Sequence, residues 1–76
     1  MWHVTDSRTL GRTVRRTRKA LGLTQVELAG ACGTSPRFIG ELERGKPTLQ
    51  LGLVLKVLDL LGLRLEISGE PEDKDA

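Results

Sequence analysis

The sequence predicts a mainly α protein, four helices followed by one short C-terminal β-strand. Three observations carry this. Four stretches hold apolar residues near helical spacing, and each closes on a glycine, at Gly22, Gly33, Gly45 and Gly62. Two of them open on strong start signals, Thr24 with Glu27 as a capping box and Ser35 followed by Pro36. After Gly62 the period shortens: Leu63, Leu65 and Ile67 alternate with Arg64, Glu66 and Ser68, the pattern of a half-buried strand.

The first helix is expected from Ser7 to about Leu21, capped by Asp6 or Ser7. Its apolar line is Leu10, Val14 and Leu21, with Arg12, Arg15, Arg16 and Lys19 over the remaining surface. The second begins at Thr24, turns Val26 or Leu28, Ala29 and Cys32 inward, and ends at Gly33. The third runs from Pro36 to Arg44 and stops at Gly45. Pro47 and Thr48 open the fourth, in which Leu49, Leu53, Val54, Val57, Leu58 and Leu61 form a wide apolar face that must be covered. The chain thus divides into an N-terminal arm or short strand (1–6), a helical domain (7–62), a strand (63–68) and an acidic tail (69–76). The tail, GEPEDKDA, has no large apolar group and is expected to be disordered.

Seventy-six residues make one domain. A chain of that size buries only about 60% of its unfolded surface, so a second subunit would help it. The formal charge of +2 conceals an asymmetry: residues 1–46 hold nine Lys or Arg against four Asp or Glu, and residues 47–76 hold three against six. A basic face with an acidic tail suits a polyanion partner, although solvated charge produces such clusters too. The single cysteine, Cys32, can form no internal disulfide, and with His3 alone it assembles no zinc site; it reads as a small packed residue. No apolar run spans a membrane and no secretory h-region opens the chain, so a cytoplasmic protein is expected. No phosphate-binding glycine loop and no carboxylate pair in a plausible cleft point to catalysis, so no enzyme, metal or cofactor is expected.

The most informative stretch is GLTQVELAGACGTSPRFIGELERGK, residues 22–46. Two short helices joined by a turn of three or four residues containing glycine form a helix-turn-helix, whose constraints are steric. Ala29 offers a small side chain opposite Ile39, Gly33 can take the left-handed conformation of the tight turn, and Leu28, Ile39 and Leu42 fill the wedge. Pro36, Arg37, Gly40, Glu41 and Arg44 then point outward.

Through LGLTQVELA, the glycine turn and IGELERGK, the sequence resembles the Cro and phage-repressor (Xre) type of helix-turn-helix proteins over about residues 8–62. The continuation GKPTLQLGLVLKVLDLLGLRLEI is similar to the HipB antitoxins in particular, extending the likeness to about residue 68. The resemblance implies a lambda-repressor-like four-helix domain whose C-terminal strand joins that of a second subunit in an intersubunit sheet. It gives Leu63, Arg64, Leu65, Glu66 and Ile67 to the dimer interface. It also implies that Gln25 braces a phosphate and a side chain of the third helix, that Pro36, Arg37 and Glu41 reach base edges, and that Arg18 pairs with Glu43. Thr24, Ser35, Gly40, Arg44 and Lys46 complete the DNA-facing set. Repressors often carry a hydrogen-bonding side chain where this chain has Pro36, which can make only apolar contact, so Arg37 becomes the main reader. Glu41 stands between accepting from cytosine N4 and being solvated surface.

The implied function is a homodimeric, sequence-specific transcriptional repressor on an inverted-repeat operator of double-stranded DNA. As an antitoxin it would regulate its own operon and bind a HipA-type serine/threonine kinase toxin. Two other readings stand beside it, a generic phage-type repressor and a protein-interaction module that docks a kinase with little DNA binding. Arg44 and Lys46 suit phosphates or simply complement a helix C-terminus. Phe38 reads as core against Leu42, with a sugar-edge contact as the rival. Trp2, His3 and Val4 alternate like a strand edge, which could meet residues 63–68 of the same chain; intersubunit pairing is preferred because it also covers the leucine face of the fourth helix.

Overall fold

The computed structural model describes residues 3–69 and holds four helices: α1 (Ser7–Ala20), α2 (Gln25–Cys32), α3 (Pro36–Glu43) and α4 (Leu51–Leu60). Trp2 and the tail beyond Gly69, for which a strand edge and disorder are expected, lie outside the described residues. α1 packs on α3, α3 on α2, and α2 on α4. Only α2 and α3 are neighbours both in sequence and in this packing; α1 reaches past α2 to α3, and α4 returns to α2.

Side-chain caps fix three of the four starts. Asp6 accepts from the Thr9 amide at 2.7 Å to begin α1. Thr24 accepts from the Glu27 amide at 3.0 Å while the Glu27 carboxylate accepts from the Thr24 amide at 2.9 Å, the reciprocal box that begins α2. Ser35 accepts from the Phe38 amide at 3.1 Å, with Pro36 in the first turn of α3. α4 differs. Pro47 and Thr48 do not open it; it starts at Leu51, after Gln50, which makes no capping bond. Leu49 lies in the intervening loop, packed against the core, so the chain must travel inward before it can coil.

One core joins the helices: Val14 of α1, Leu28, Ala29 and Cys32 of α2, Ile39 and Leu42 of α3, and Val54, Val57, Leu58 and Leu61 at α4. Leu10, Leu23, Phe38, Leu49 and Leu63 are half-buried around it. Of the two inward candidates on α2, Leu28 is buried and Val26 is exposed. Leu21 is exposed as well, because α1 ends at Ala20 and the apolar line gives way to the turn at Gly22. In its place Gly11, Thr13 and Arg18 share the buried side of α1 with Val14.

No strand is present among the described residues. Residues 63–68 leave α4 without regular structure, and Arg64, Leu65, Glu66 and Ser68 line a cleft with His3, Val4 and Thr5. The two segments lie side by side, yet no backbone hydrogen bond joins them.

Candidate nucleic-acid interface

The site grows from the turn between α2 and α3. Gly33 ends α2 with φ 70° and ψ 34°, the left-handed region that a side chain would strain. Its amide donates to the Gly30 carbonyl at 3.3 Å, and the next amide, of Thr34, reaches back to Ala29 at 2.9 Å. The helix is thereby closed and the chain redirected into Ser35. Ala29 and Ile39, 1% and 0% exposed, are both buried in the core that α2 and α3 share. Residues 24–44 are therefore two helices with a break, and Arg37 faces outward.

A buried polar cluster locks this angle. Arg18 donates from Nε to Glu43 Oε2 at 2.6 Å and from Nη2 to Glu43 Oε1 at 3.0 Å, a two-pronged bond between α1 and the last residue of α3. Its Nη1 donates to the Leu23 carbonyl at 2.8 Å, just before α2, and Gln25 Nε2 donates to Glu43 Oε1 at 3.1 Å. One guanidinium thus joins α1, the loop into α2, and α3. The bond to Glu43 holds the Arg18 guanidinium above its ordinary range against desolvation. Among the described residues no buried side-chain donor or acceptor lacks a partner. Gln25, expected to brace a side chain of the third helix, does so through Glu43.

Two supports had no place in the expectations drawn from the sequence. A Cβ on Gly11 would lie 2.7 Å from the Glu43 carbonyl oxygen and closer still to that of Leu42, so α1 passes directly over the end of α3. Ser7 Oγ donates to the Gly45 carbonyl at 2.9 Å, and the Gly45 α-carbon sits against the backbone of Arg8. The only sequence signal for either was a glycine inside a helix.

The outer surface of α3 presents Pro36 and Arg37, both exposed, then Glu41, half-buried, then Arg44 and Lys46, both exposed. Gly40, expected among the outward residues, is buried, because the Arg44 guanidinium lies across it. Glu41 Oε2 accepts from Lys46 Nζ at 3.0 Å and stands 3.7 Å from Arg37 Nε. The bond from Lys46, with the fields of Arg37 and Arg44, holds its carboxyl below the usual range. Phe38 is half-buried beside the core, in the position read for it as packing. On α1, Arg8, Arg12, Arg15, Arg16 and Lys19 are all exposed. Cys32 is buried, its thiol pushed up by desolvation. The described residues gather no His, Cys, Asp and Glu group able to hold a metal ion, and no helix is long and apolar enough to cross a membrane.

Residues 9–66 match the helix-turn-helix domain family. The chain belongs to that family. Over 58 residues this helix-turn-helix protein is 52% identical to the uncharacterized HTH-type transcriptional regulator y4mF of Sinorhizobium fredii, covering 76% of each chain. Over 62 residues it is 34% identical to the uncharacterized HTH-type transcriptional regulator YazB of Bacillus subtilis, covering 82% of this chain and 90% of that one. Its fold is similar to that of HipB in a complex with O1 and O2, with a TM-score of 0.81, 23% identity, and coverage of 91% of this chain and all of the other. A HipB complex with an O4 20mer gives a TM-score of 0.81 at 22% identity, over 93% of this chain and 100% of that one. The helix-turn-helix of this transcriptional regulator is α2, the turn at Gly33, and α3.

Proposed function

We propose that this helix-turn-helix protein is a homodimeric, sequence-specific repressor that inserts α3 into the major groove of double-stranded DNA. Arg37 is the principal reader, and Thr24, Gln25, Ser35, Arg44 and Lys46 meet phosphates. One observation carries the reading: the Arg37 side chain, 85% exposed, projects from a helix whose angle is fixed by the buried Arg18–Glu43–Gln25 cluster. A planar fork held in that way can donate two bonds to guanine O6 and N7. Two copies, with recognition helices about one helical turn apart, would select an inverted repeat.

Selection from a randomised duplex library tests this. Arg37→Ala should flatten the preference at one base pair per half-site, a loss of about 1–3 kcal/mol in discrimination. Arg44→Ala should weaken binding to all duplexes alike and reduce the salt slope by about one. Wild-type behaviour in both variants would end the assignment.

The dimer would form through residues 63–68 of each copy, the two segments pairing as a two-stranded lid. Leu65 and Ile67, 52% and 93% exposed, support this, as do Leu51, Leu55 and Leu60 on α4. The likeness to HipB supports a finer reading, an antitoxin that represses its own operon and binds a HipA-type serine/threonine kinase toxin. Co-expression with the adjacent gene product, followed by copurification, checks that step. A neighbour that encodes no kinase leaves the repressor and removes the antitoxin.

A further inference from the structure

The recognition face carries one carboxylate among three cations, and nothing in the reading of Arg37 explains it. Glu43, the other acid of α3, is turned inward onto Arg18. Glu41 is turned outward, where Lys46 Nζ lies at 3.0 Å and Arg37 Nε at 3.7 Å from the same oxygen, Oε2. Arg44 adds its field from across Gly40. The Glu41 side chain is only 20% exposed, in a hollow that Phe38, Thr48 and Leu49 line together with Arg37 and Lys46.

Any phosphate reaching this face meets the exposed cations, with the negative charge of Glu41 close behind them. It must also draw Lys46 from the anion it is bonded to, and Arg37 from the field of the same carboxylate. On unrelated DNA the two cations find only phosphates, so one anion replaces another and the gain is small. At a matching site Arg37 finds a guanine edge, a directional bond that phosphate cannot offer and that Glu41 does not imitate. The carboxylate therefore subtracts more from non-specific than from specific binding. The rival, in which Glu41 itself accepts from cytosine N4 through its other oxygen, is separated by the test below.

We propose that Glu41 is a specificity-setting residue, an internal competitor that holds Arg37 and Lys46 away from phosphate until a matching base pair releases Arg37. This rests on the DNA reading and refines it. Glu41→Gln keeps the shape of the side chain and removes its charge. Binding is followed by fluorescence anisotropy between about 50 and 200 mM salt, on a random-sequence duplex of about two helical turns and on the duplex enriched by the library selection.

The expected result is about tenfold tighter binding of the variant to the random duplex, with a log–log salt slope steeper by about one. Binding to the enriched duplex should change less, so the ratio between the two narrows by several fold. Three results overturn the proposal: affinities unchanged on both duplexes, equal tightening on both, or weakening on the enriched duplex alone, which would make Glu41 a base reader. If the wild-type protein enriches no sequence and retains neither duplex, the DNA reading itself falls. That outcome is distinct from the other three, since each of those begins from a wild type that binds.

Discussion

At Gly11 the absence of a side chain is the structural element. The carbonyl oxygens of Leu42 and Glu43 occupy the space a Cβ would take, and backbone atoms at a helix end cannot swing aside as a lysine tip could. Gly11→Ala should lower stability by about 1–3 kcal/mol through overpacking, overriding the roughly 1 kcal/mol that alanine gains inside a helix. Gly30 supplies the contrast, since a Cβ there meets nothing within 4 Å, so Gly30→Ala should gain up to about 1 kcal/mol. Urea unfolding of both variants decides the matter; a gain at both positions would show that α1 and α3 can part without cost. Arg18 invites a second substitution. Removing it leaves Glu43, whose side chain is 3% exposed, without its main counter-charge, and Arg18→Ala should cost about 3–5 kcal/mol. The double variant Arg18→Met with Glu43→Leu should regain most of that stability in the same measurement, while loosening the seat of Gln25. A double variant as unstable as the single would refute the explanation by stranded charge. Residue spacing gave no reason to join Arg18 to Glu43, 25 positions apart; only the family likeness suggested the pair. Gly11 carried no reading in advance, because its reason lies wholly in another element.

Helix by helix, the elements best read in advance are those whose boundaries are set by bonds three residues long. The starts of α2 and α3 stand where Thr24 and Ser35 place them, since a cap and its amide are neighbours in the chain. The start of α4 was misread because Pro47 and Thr48 imitate a start, while the burial of Leu49 depends on a core that local sequence does not display. In the eight residues of α2, spacing alone could not choose between Val26 and Leu28. The same local caps govern the response to acid. The amides of Thr9 and Thr24 hold the carboxyls of Asp6 and Glu27 below their ordinary values. A carboxylate with a depressed folded value contributes stability above its unfolded value and loses it as the pH falls through the folded one. Melting temperature should therefore fall on acidification below about pH 4. Glu27→Gln should melt slightly lower at neutral pH and lose less on the way down. Melts by circular dichroism from neutral to acid pH check this, and parallel acid limbs in variant and wild type would show that the box at Thr24 contributes nothing through its charge.

For the molecule as a whole, the open question of stability is what covers the apolar surface that four helices leave outside. Leu51, Leu55, Leu60, Leu65 and Ile67 are all at least 40% exposed, much for a domain whose core is ten side chains. The proposed lid answers it, and its register follows from the sequence. If two copies of residues 63–68 pair antiparallel about Leu65, Arg64 of each lies opposite Glu66 of the other, and Leu63 lies opposite Ile67. Both pairings are favourable across strands, whereas a shift by one residue would set Arg64 against Ile67. The register makes a charge-reversal prediction. Arg64→Glu places like charges opposite one another twice in the dimer, which should weaken dimerisation about tenfold or more, about 1.4 kcal/mol or above. Adding Glu66→Arg restores opposite pairs with their sense exchanged, and the dimer should return to near wild-type strength. Sedimentation equilibrium at several protein concentrations measures both constants. Both residues lie outside the recognition helix, in the cleft with His3, Val4 and Thr5, so DNA binding by the single variant should weaken only as dimer is lost and recover when the protein concentration is raised. A dimer indifferent to Arg64→Glu, or a double variant no better than the single, would mean that the copies meet through the α4 leucines without the strand.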